Sequence, residues 1–257
     1  MVKNSGEEVI SKVPAVTLGF WIIKVLCTTL GETGGDTLSM SWNLGYAVST
    51  AIFVVPFMAL VWAQIEAKEF KPWLYWATIV ASTMIGTTIA DFATRSMGIG
   101  YPGGSLLLLG LVMASLAAWK AVLGTVDVNS IATPRAETFY WLTITFSQTL
   151  GTALGDWTAD GRFGYLGAAV LFSLLLAMLA VLYRWTSVSH VALFWAAFIL
   201  TRPLGATVGD FLDKPLAKGG LDLSRPIASL VLAAAIAGLI ALLPQRAGGH
   251  PGSAATP

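Results

Sequence analysis

The chain has 257 residues, of which 56% are hydrophobic and only 11% are charged, whereas a soluble domain usually carries about 25% charged residues. This composition predicts an integral membrane protein and excludes an ordinary soluble domain. The formal net charge of +1 leaves no basic field for binding nucleic acid, and the single cysteine, Cys27, excludes a disulfide framework and a cysteine-rich metal site.

Apolar segments of about 20 residues, each long enough to cross a bilayer as a helix, follow one another along the chain. Their length and the absence of alternating polarity argue against barrel strands. We therefore predict an all-α, polytopic membrane bundle of eight transmembrane helices. The predicted helices cover residues 14–36, 46–64, 72–91, 105–123, 138–156, 165–183, 190–210 and 226–243.

The odd-numbered predicted helices carry one motif four times, which predicts four tandem two-helix repeats. An aromatic–Trp pair is followed by a glycine ten residues after the tryptophan and by an aspartate five residues later. The copies are Phe20-Trp21, Gly31, Asp36; Tyr75-Trp76, Gly86, Asp91; Tyr140-Trp141, Gly151, Asp156; and Phe194-Trp195, Gly205, Asp210. The predicted units are a cytoplasmic N-terminal segment (1–13), the repeats (14–72, 73–137, 138–189 and 190–244) and a disordered cytoplasmic tail (245–257).

Two-helix repeats insert with the same orientation, so we predict parallel repeats about an axis along the membrane normal. The loops on the side of the termini carry more Lys and Arg than the opposite loops, which favours cytoplasmic termini in a bacterial inner membrane. Fifteen residues, or about 22 Å of helix, separate each motif tryptophan from its aspartate. The four aspartates are thus expected to form a ring toward the outer side.

The repeated acids predict a function because charge within a membrane is costly. Three threonines lie three residues before their aspartates, and Glu32 adds an acid to the first copy. Sites built only of oxygen ligands suit Mg²⁺, Ca²⁺, Mn²⁺ or protons. The predicted cation and metal site comprises Asp36, Asp91, Asp156, Asp210 and Glu32, with Thr33, Thr88 and Thr207.

Two alternatives for these charges remain open. Each aspartate can satisfy backbone groups where its helix ends, or pair with a basic neighbour such as Arg95, Lys214 or Arg202. Arg202, in the fourth copy, is an internal counter-ion or a locally paired side chain. Lys24 is expected to extend to the cytoplasmic interface, and Cys27 to be a small core residue.

Small residues four positions apart in each motif predict close helix packing. The pairs are Gly31/Gly35, Gly86/Ala90, Gly151/Gly155 and Gly205/Gly209. The four motif tryptophans are predicted to be interfacial anchors rather than a cation–π site.

The repeated Trp21, Trp76, Trp141 and Trp195, with their downstream glycines and aspartates, resemble a family of bacterial multi-pass membrane proteins. Members consist of four tandem repeats, each with two transmembrane regions and a tryptophan, and are often labelled simply as membrane-anchored proteins. The resemblance covers about residues 14–244. It implies the fold and the membrane location, but no reaction.

The leading functional hypothesis is a cation transporter or exporter, not an enzyme, for a divalent metal with Mn²⁺ slightly favoured. Proton exchange is a plausible driving reaction. The expected partners are the lipid bilayer and a small inorganic cation, with no organic cofactor and no nucleic acid, in a monomer or homodimer. The alternatives are a metal-dependent membrane enzyme using the same acids, and a structural or stress-sensing membrane protein.

Overall fold

The computed structural model describes residues 11–248, and within them the chain is all-α, with one isolated backbone bridge between Pro14 and Ala247. The predicted all-α class is confirmed. The helices are α1 (Leu18–Asp36), α2 (Gly45–Glu66), α3 (Pro72–Asp91), α4 (Gly100–Leu123), α5 (Pro134–Thr158), α6 (Gly164–Trp185), α7 (His190–Asp213) and α8 (Arg225–Leu242).

Local sequence explains where these helices begin. Proline occupies the first turn of α3, α5 and α8, where its missing N–H is not needed. The hydroxyls of Thr17, Thr133 and Ser189 accept hydrogen bonds from the first turns of α1, α5 and α7.

The turns after the first three motif aspartates are similar, although Gly161 in the third has non-helical backbone angles. A five-residue π-helical turn follows α1, α3 and α5. The next helix then begins at a glycine with positive φ: Gly45 (73°), Gly100 (71°) and Gly164 (65°). Side chains disfavour this backbone conformation, so the glycines permit the reversal between the two helices of each of the first three repeats.

Within residues 11–248, six segments are long and apolar enough to cross a membrane. They are Gly45–Glu66, Pro72–Ser96, Gly100–Leu123, Pro134–Trp185, His190–Asp213 and Arg225–Leu242. The fourth segment contains both α5 and α6, and α1, which carries Lys24, Glu32 and Asp36, lies outside this set. The chain therefore has the helices of a membrane protein.

Four helices form a closed inner ring, and the other four pack outside it. The motif helices α1, α3, α5 and α7 contact one another in that order, and α7 returns to contact α1. The return helices α2, α4, α6 and α8 pack mainly on α3, α5, α7 and α1, respectively. Each return helix therefore covers the motif helix of the following repeat, and the fourth covers the first.

The motif glycines explain how the inner ring packs so closely. Each motif glycine faces one residue of the next repeat. That residue lies three positions before the motif glycine of its own repeat. The pairs are Gly31 with Thr83, Gly86 with Gln148, Gly151 with Arg202, and Gly205 with Thr28. A Cβ atom at any of the four would overlap its neighbour. The predicted packing role of the small residues is confirmed.

The four aromatic–Trp pairs form a ring of aromatic side chains at the opposite end of the motif helices. The aromatic residue of each motif contacts the tryptophan of the next, with ring centroids 5.4–6.3 Å apart. The pairs are Phe20–Trp76, Tyr75–Trp141, Tyr140–Trp195 and Phe194–Trp21. Trp76, Trp141 and Trp195 are buried, and Trp21 is half-buried. For Trp76, Trp141 and Trp195 the prediction of interfacial anchors is therefore wrong, because their rings pack into the bundle. For Trp21 it stays a prediction.

Lys24 lies inside the bundle beside this ring of aromatic side chains. Its side chain is 0% exposed, and its Nζ lies 4.2 Å from the centroid of the Phe198 ring, a cation–π distance. The expectation that Lys24 extends to the membrane interface is wrong, because α1 turns this side chain toward α7. Cys27 is buried in the same apolar core, as predicted.

Substituting Tyr75 with phenylalanine tests how much the ring of aromatic side chains contributes to stability. The hydroxyls of Tyr75 and Tyr140 form a 2.6 Å hydrogen bond in the core, so Tyr75→Phe leaves the Tyr140 hydroxyl buried without a partner. We expect a loss of about 1–2 kcal/mol in the free energy of unfolding, measured by denaturation in detergent. The double variant Tyr75→Phe/Tyr140→Phe should be less destabilised than the two single losses added together, and simple additivity would contradict this hydrogen bond.

The two ends of the described chain meet beside the ring of aromatic side chains. The Ala15 amide donates to the Arg246 carbonyl at 2.8 Å, and the Trp76 indole N–H donates to Gln245 Oε1 at 3.1 Å. Lys12 forms a buried 2.6 Å ion pair with Glu137 on α5. Of the predicted disordered tail, residues 245–248 thus pack on the bundle. The predictions for residues 1–10 and 249–257 lie outside the described residues.

Candidate functional site

The motif aspartates gather at the C-terminal ends of the motif helices because the ring holds the repeats in the same register. Asp36, Asp91, Asp156 and Asp210 are only 0–2% exposed. Glu32 and Asp213 are buried with them. Clustering carboxylates away from water requires positive charge nearby, and four basic side chains supply it.

Arg95 joins the second and third repeats. Its Nε lies 2.9 Å from Asp91 Oδ1, and its Nη2 donates to Asp156 Oδ2 at 2.8 Å. Arg95 is on the π-helical turn after α3, one helical turn beyond Asp91. The predicted pairing of Arg95 with a motif aspartate is present, and the contact with Asp156 also crosses to the next repeat.

Lys214 joins the fourth repeat to the first. Its Nζ lies 2.7 Å from Asp36 Oδ2, 2.8 Å from Asp210 Oδ1 and 3.8 Å from Asp213 Oδ1. Burial lowers the pKa of Lys214, but the three carboxylates outweigh burial and raise the pKa well above its usual value. The three carboxylates therefore favour the charged ammonium form of Lys214. Arg225 adds a second cation, 3.2 Å from Asp213 Oδ2.

Arg202 crosses the interior of the bundle. Its side chain is 0% exposed and reaches from α7 to α1 and α3. It donates to Glu32 Oε2 at 3.1 Å, to the Thr28 carbonyl at 3.1 Å and to the hydroxyl of Thr87. Its stem lies against Gly151, where any side chain would overlap it. Arg202 is thus paired with Glu32 and with backbone oxygen rather than with a motif aspartate.

The hydroxyls of the three predicted threonines bond mainly to their own helices. Thr88 donates to the Met84 and Ile85 carbonyls, and Thr207 to those of Pro203 and Leu204. The Thr33 hydroxyl donates to the Leu30 carbonyl and accepts from Ser229.

Sequence reasoning missed Thr87, Asp213 and Arg225. Thr87 lies one residue before Thr88 and directs its hydroxyl to Glu32 and Arg202. Its position directly after Gly86, equivalent to that of Glu32 after Gly31, was the available signal. Asp213 and Arg225 flank the last loop, and no repeated motif marks them.

In the described part of the chain, two groups of three carboxylates could each hold a cation. The inner trio is Glu32, Asp156 and Asp210, and the outer trio is Asp36, Asp210 and Asp213. Within each trio, one oxygen from every residue lies within 4.8 Å of the others. Asp156 Oδ1 is buried and has no hydrogen-bond partner among residues 11–248, so the inner trio retains an unused acceptor. Asp210 belongs to both trios.

The charges in this part of the described structure do not cancel. The acids are Glu32, Asp36, Asp91, Asp156, Asp210 and Asp213, and the bases that contact them are Arg95, Arg202, Lys214 and Arg225. Six carboxylates face four basic groups, which leaves two negative charges when every group is ionised. Uncompensated charge is unfavourable in a buried site, so this cluster has the charge of a site for cations or protons.

Comparison with known proteins identifies the repeats. The family model described as Repeat of Unknown Function (DUF347) matches residues 19–69, 74–125, 139–189 and 193–244. The four matches together cover most of the chain, and the chain belongs to this family, as its resemblance to a four-repeat membrane family suggested. Neither the curated proteins nor the solved structures gave a match.

Proposed function

We propose that this protein is an integral membrane transporter or exporter of a divalent cation such as Mn²⁺, Mg²⁺ or Ca²⁺. The observation that carries the proposal is the inner trio of Glu32, Asp156 and Asp210, whose carboxylates come from three helices of the ring. Carboxylate oxygens are the preferred ligands of these hard cations. The unpartnered Asp156 Oδ1 supplies a free acceptor at the same place.

The proposed membrane arrangement has eight spans in four parallel repeats. The lengths of α1 to α8, 18 to 25 residues, suit such spans. The contacts of Gly31 with Thr83 and of Gly35 with Thr87 advance together along α1 and α3, as parallel neighbours require. The excess of Lys and Arg in the loops on the side of the termini favours a cytoplasmic location for the termini in a bacterial inner membrane. The carboxylates then lie toward the outer side.

The charge of the cluster favours a divalent substrate. Two excess negative charges are balanced by one divalent cation, whereas a monovalent ion leaves one charge uncompensated in a buried site. Protons can also neutralise the carboxylates when the cation leaves. Exchange of the metal ion for protons is therefore the driving reaction that we propose.

Asp156→Asn tests the proposal, because it removes a charge and a ligand from the inner trio while nearly keeping the side-chain volume. We expect Mn²⁺ flux into proteoliposomes to fall to near the background of empty vesicles. Glu137→Gln is the matched control, because Glu137 is another buried acid of α5 but pairs with Lys12 at the opposite end. Wild-type flux in Asp156→Asn would exclude the inner trio as the transport site.

A structural role is the second candidate, favoured by the ion pairs of the motif aspartates. Each of the four lies within 2.9 Å of a lysine or arginine nitrogen, so the charges can also serve to hold the repeats together. Metal analysis and thermal unfolding of the purified protein separate the two roles. A transporter should retain or bind Mn²⁺ and melt at a higher temperature with it, whereas a purely structural ring should show neither effect.

A further inference from the structure

The ammonium group of Lys214 lies within ion-pair distance of all three carboxylates of the outer trio. It lies 2.7 Å from Asp36, 2.8 Å from Asp210 and 3.8 Å from Asp213. The three carboxylates are close enough together to share one cation. Asp36 Oδ1 is buried and has no hydrogen-bond partner in the described part of the chain. The outer trio thus offers more oxygen acceptors than one ammonium group uses.

We propose that the outer trio is a second position for a divalent cation and that Lys214 is a tethered ion that competes for it. This inference rests on the proposed transport function and adds regulation of the same cluster. A cation that enters the outer trio must displace the ammonium group, because like charges cannot share these oxygens at such short distances. Removing the lysine charge should therefore expose a site that the wild-type protein keeps occupied.

The local structure allows the side chain of Lys214 to leave while its backbone stays in place. The Lys214 amide donates to the Asp210 carbonyl at 2.9 Å, and its carbonyl accepts from Asp222 at 2.9 Å. Residues 215–219 beside it are exposed. A lysine carries its charge on a flexible four-carbon stem, so rotation of the stem alone can move the ammonium group toward this surface.

Arg202 differs from Lys214 in this respect. It is fully buried and bonded to groups on two other helices, so its charge is fixed within the bundle. Of these two basic groups, Lys214 is therefore the one that can exchange with a cation. Because Asp210 belongs to both trios, a cation in one position also alters the charge and the geometry at the other.

The direct test is Mn²⁺ binding to the purified full chain, with Lys214→Met as the variant. Methionine keeps an unbranched stem and removes the charge. We expect Lys214→Met to bind one more Mn²⁺ per chain than the wild type, or to bind Mn²⁺ about tenfold more tightly, by calorimetric titration. Lys218→Met is the control, because Lys218 is exposed in the same loop. Equal binding by the two variants would overturn the proposal.

Lysine labelling supplies a second test that needs no variant. In the wild-type protein, Mn²⁺ should increase acetylation of Lys214 by an amine-reactive ester, detected by mass spectrometry, and leave Lys218 unchanged. Labelling of Lys214 that does not respond to Mn²⁺ would also overturn the proposal.

The two proposals can fail separately. If Asp156→Asn abolishes flux but Lys214→Met gains no Mn²⁺, transport through the inner trio stands and competition by Lys214 is excluded. If Asp156→Asn transports normally and Lys214→Met gains Mn²⁺, the outer trio binds a cation and the transport proposal is the one that fails.

Discussion

Replacing Arg202 with methionine is expected to lower the free energy of unfolding by about 3–5 kcal/mol, because it leaves a buried carboxylate without its counter-ion. Glu32 is only 2% exposed, and its Oε2 accepts from Arg202 at 3.1 Å. The Thr28 carbonyl and the Thr87 hydroxyl also lose the donor that crosses the bundle. Denaturation of the purified protein in detergent, followed by tryptophan fluorescence, measures the loss.

A double variant identifies the source of this loss. Adding Glu32→Gln to Arg202→Met removes the uncompensated charge, so the pair should be more stable than Arg202→Met alone. Arg162→Met is the control, because Arg162 is an exposed arginine on the π-helical turn after α5. If Arg202→Met and Arg162→Met unfold at the same denaturant concentration, Arg202 does not stabilise the ring.

Gly205→Val is expected to destabilise the protein by about 3 kcal/mol, because a buried side chain has no space there. A Cβ atom at Gly205 would lie 2.5 Å from Thr28 Cβ and 2.7 Å from the Thr28 backbone carbon. The backbone cannot yield without separating α7 from α1, which opens the ring between the fourth repeat and the first. The same denaturation experiment measures the effect.

Gly238→Val is the matched control for Gly205→Val. Gly238 lies within α8, and a Cβ atom there would meet nothing within 4 Å. The free energy of unfolding of the Gly238→Val variant should change by less than about 1 kcal/mol, since only helix propensity differs. Adding Thr28→Ala to Gly205→Val should recover part of the loss by removing the hydroxyl that the valine would meet. Equal stability of Gly205→Val and Gly238→Val would contradict the close approach of α7 to α1.

The sequence predicted the positions of the helices well because proline, glycine and aspartate mark their ends. The pattern predicts a helix over residues 72–91, and α3 spans Pro72–Asp91. It did not predict which way the motif tryptophans face. Lipid and the interior of the bundle are both apolar, so apolar periodicity does not distinguish them. The same ambiguity leads the sequence to predict Lys24 at the interface, although its ammonium group lies over the Phe198 ring.

The site could be predicted only as far as local spacing reaches. Asp91 and Arg95, like Asp210 and Lys214, are four residues apart, so these ion pairs follow from helix geometry. The contacts of Arg95 with Asp156 and of Lys214 with Asp36 depend on which repeats are neighbours in the ring. Whether Thr87 or Thr88 contacts Glu32 and Arg202 depends on the rotation of α3 about its own axis, which no single repeat determines.

The closed ring has a consequence for the order of the repeats in the chain. An open stack of repeats needs special first and last units to cover its exposed faces, but here the fourth repeat packs on the first as the first packs on the second. The two ends of the described part of the chain also meet, through Ala15 and Arg246. A circular permutant that begins at the loop between α2 and α3, with its old ends joined, should therefore assemble the same bundle.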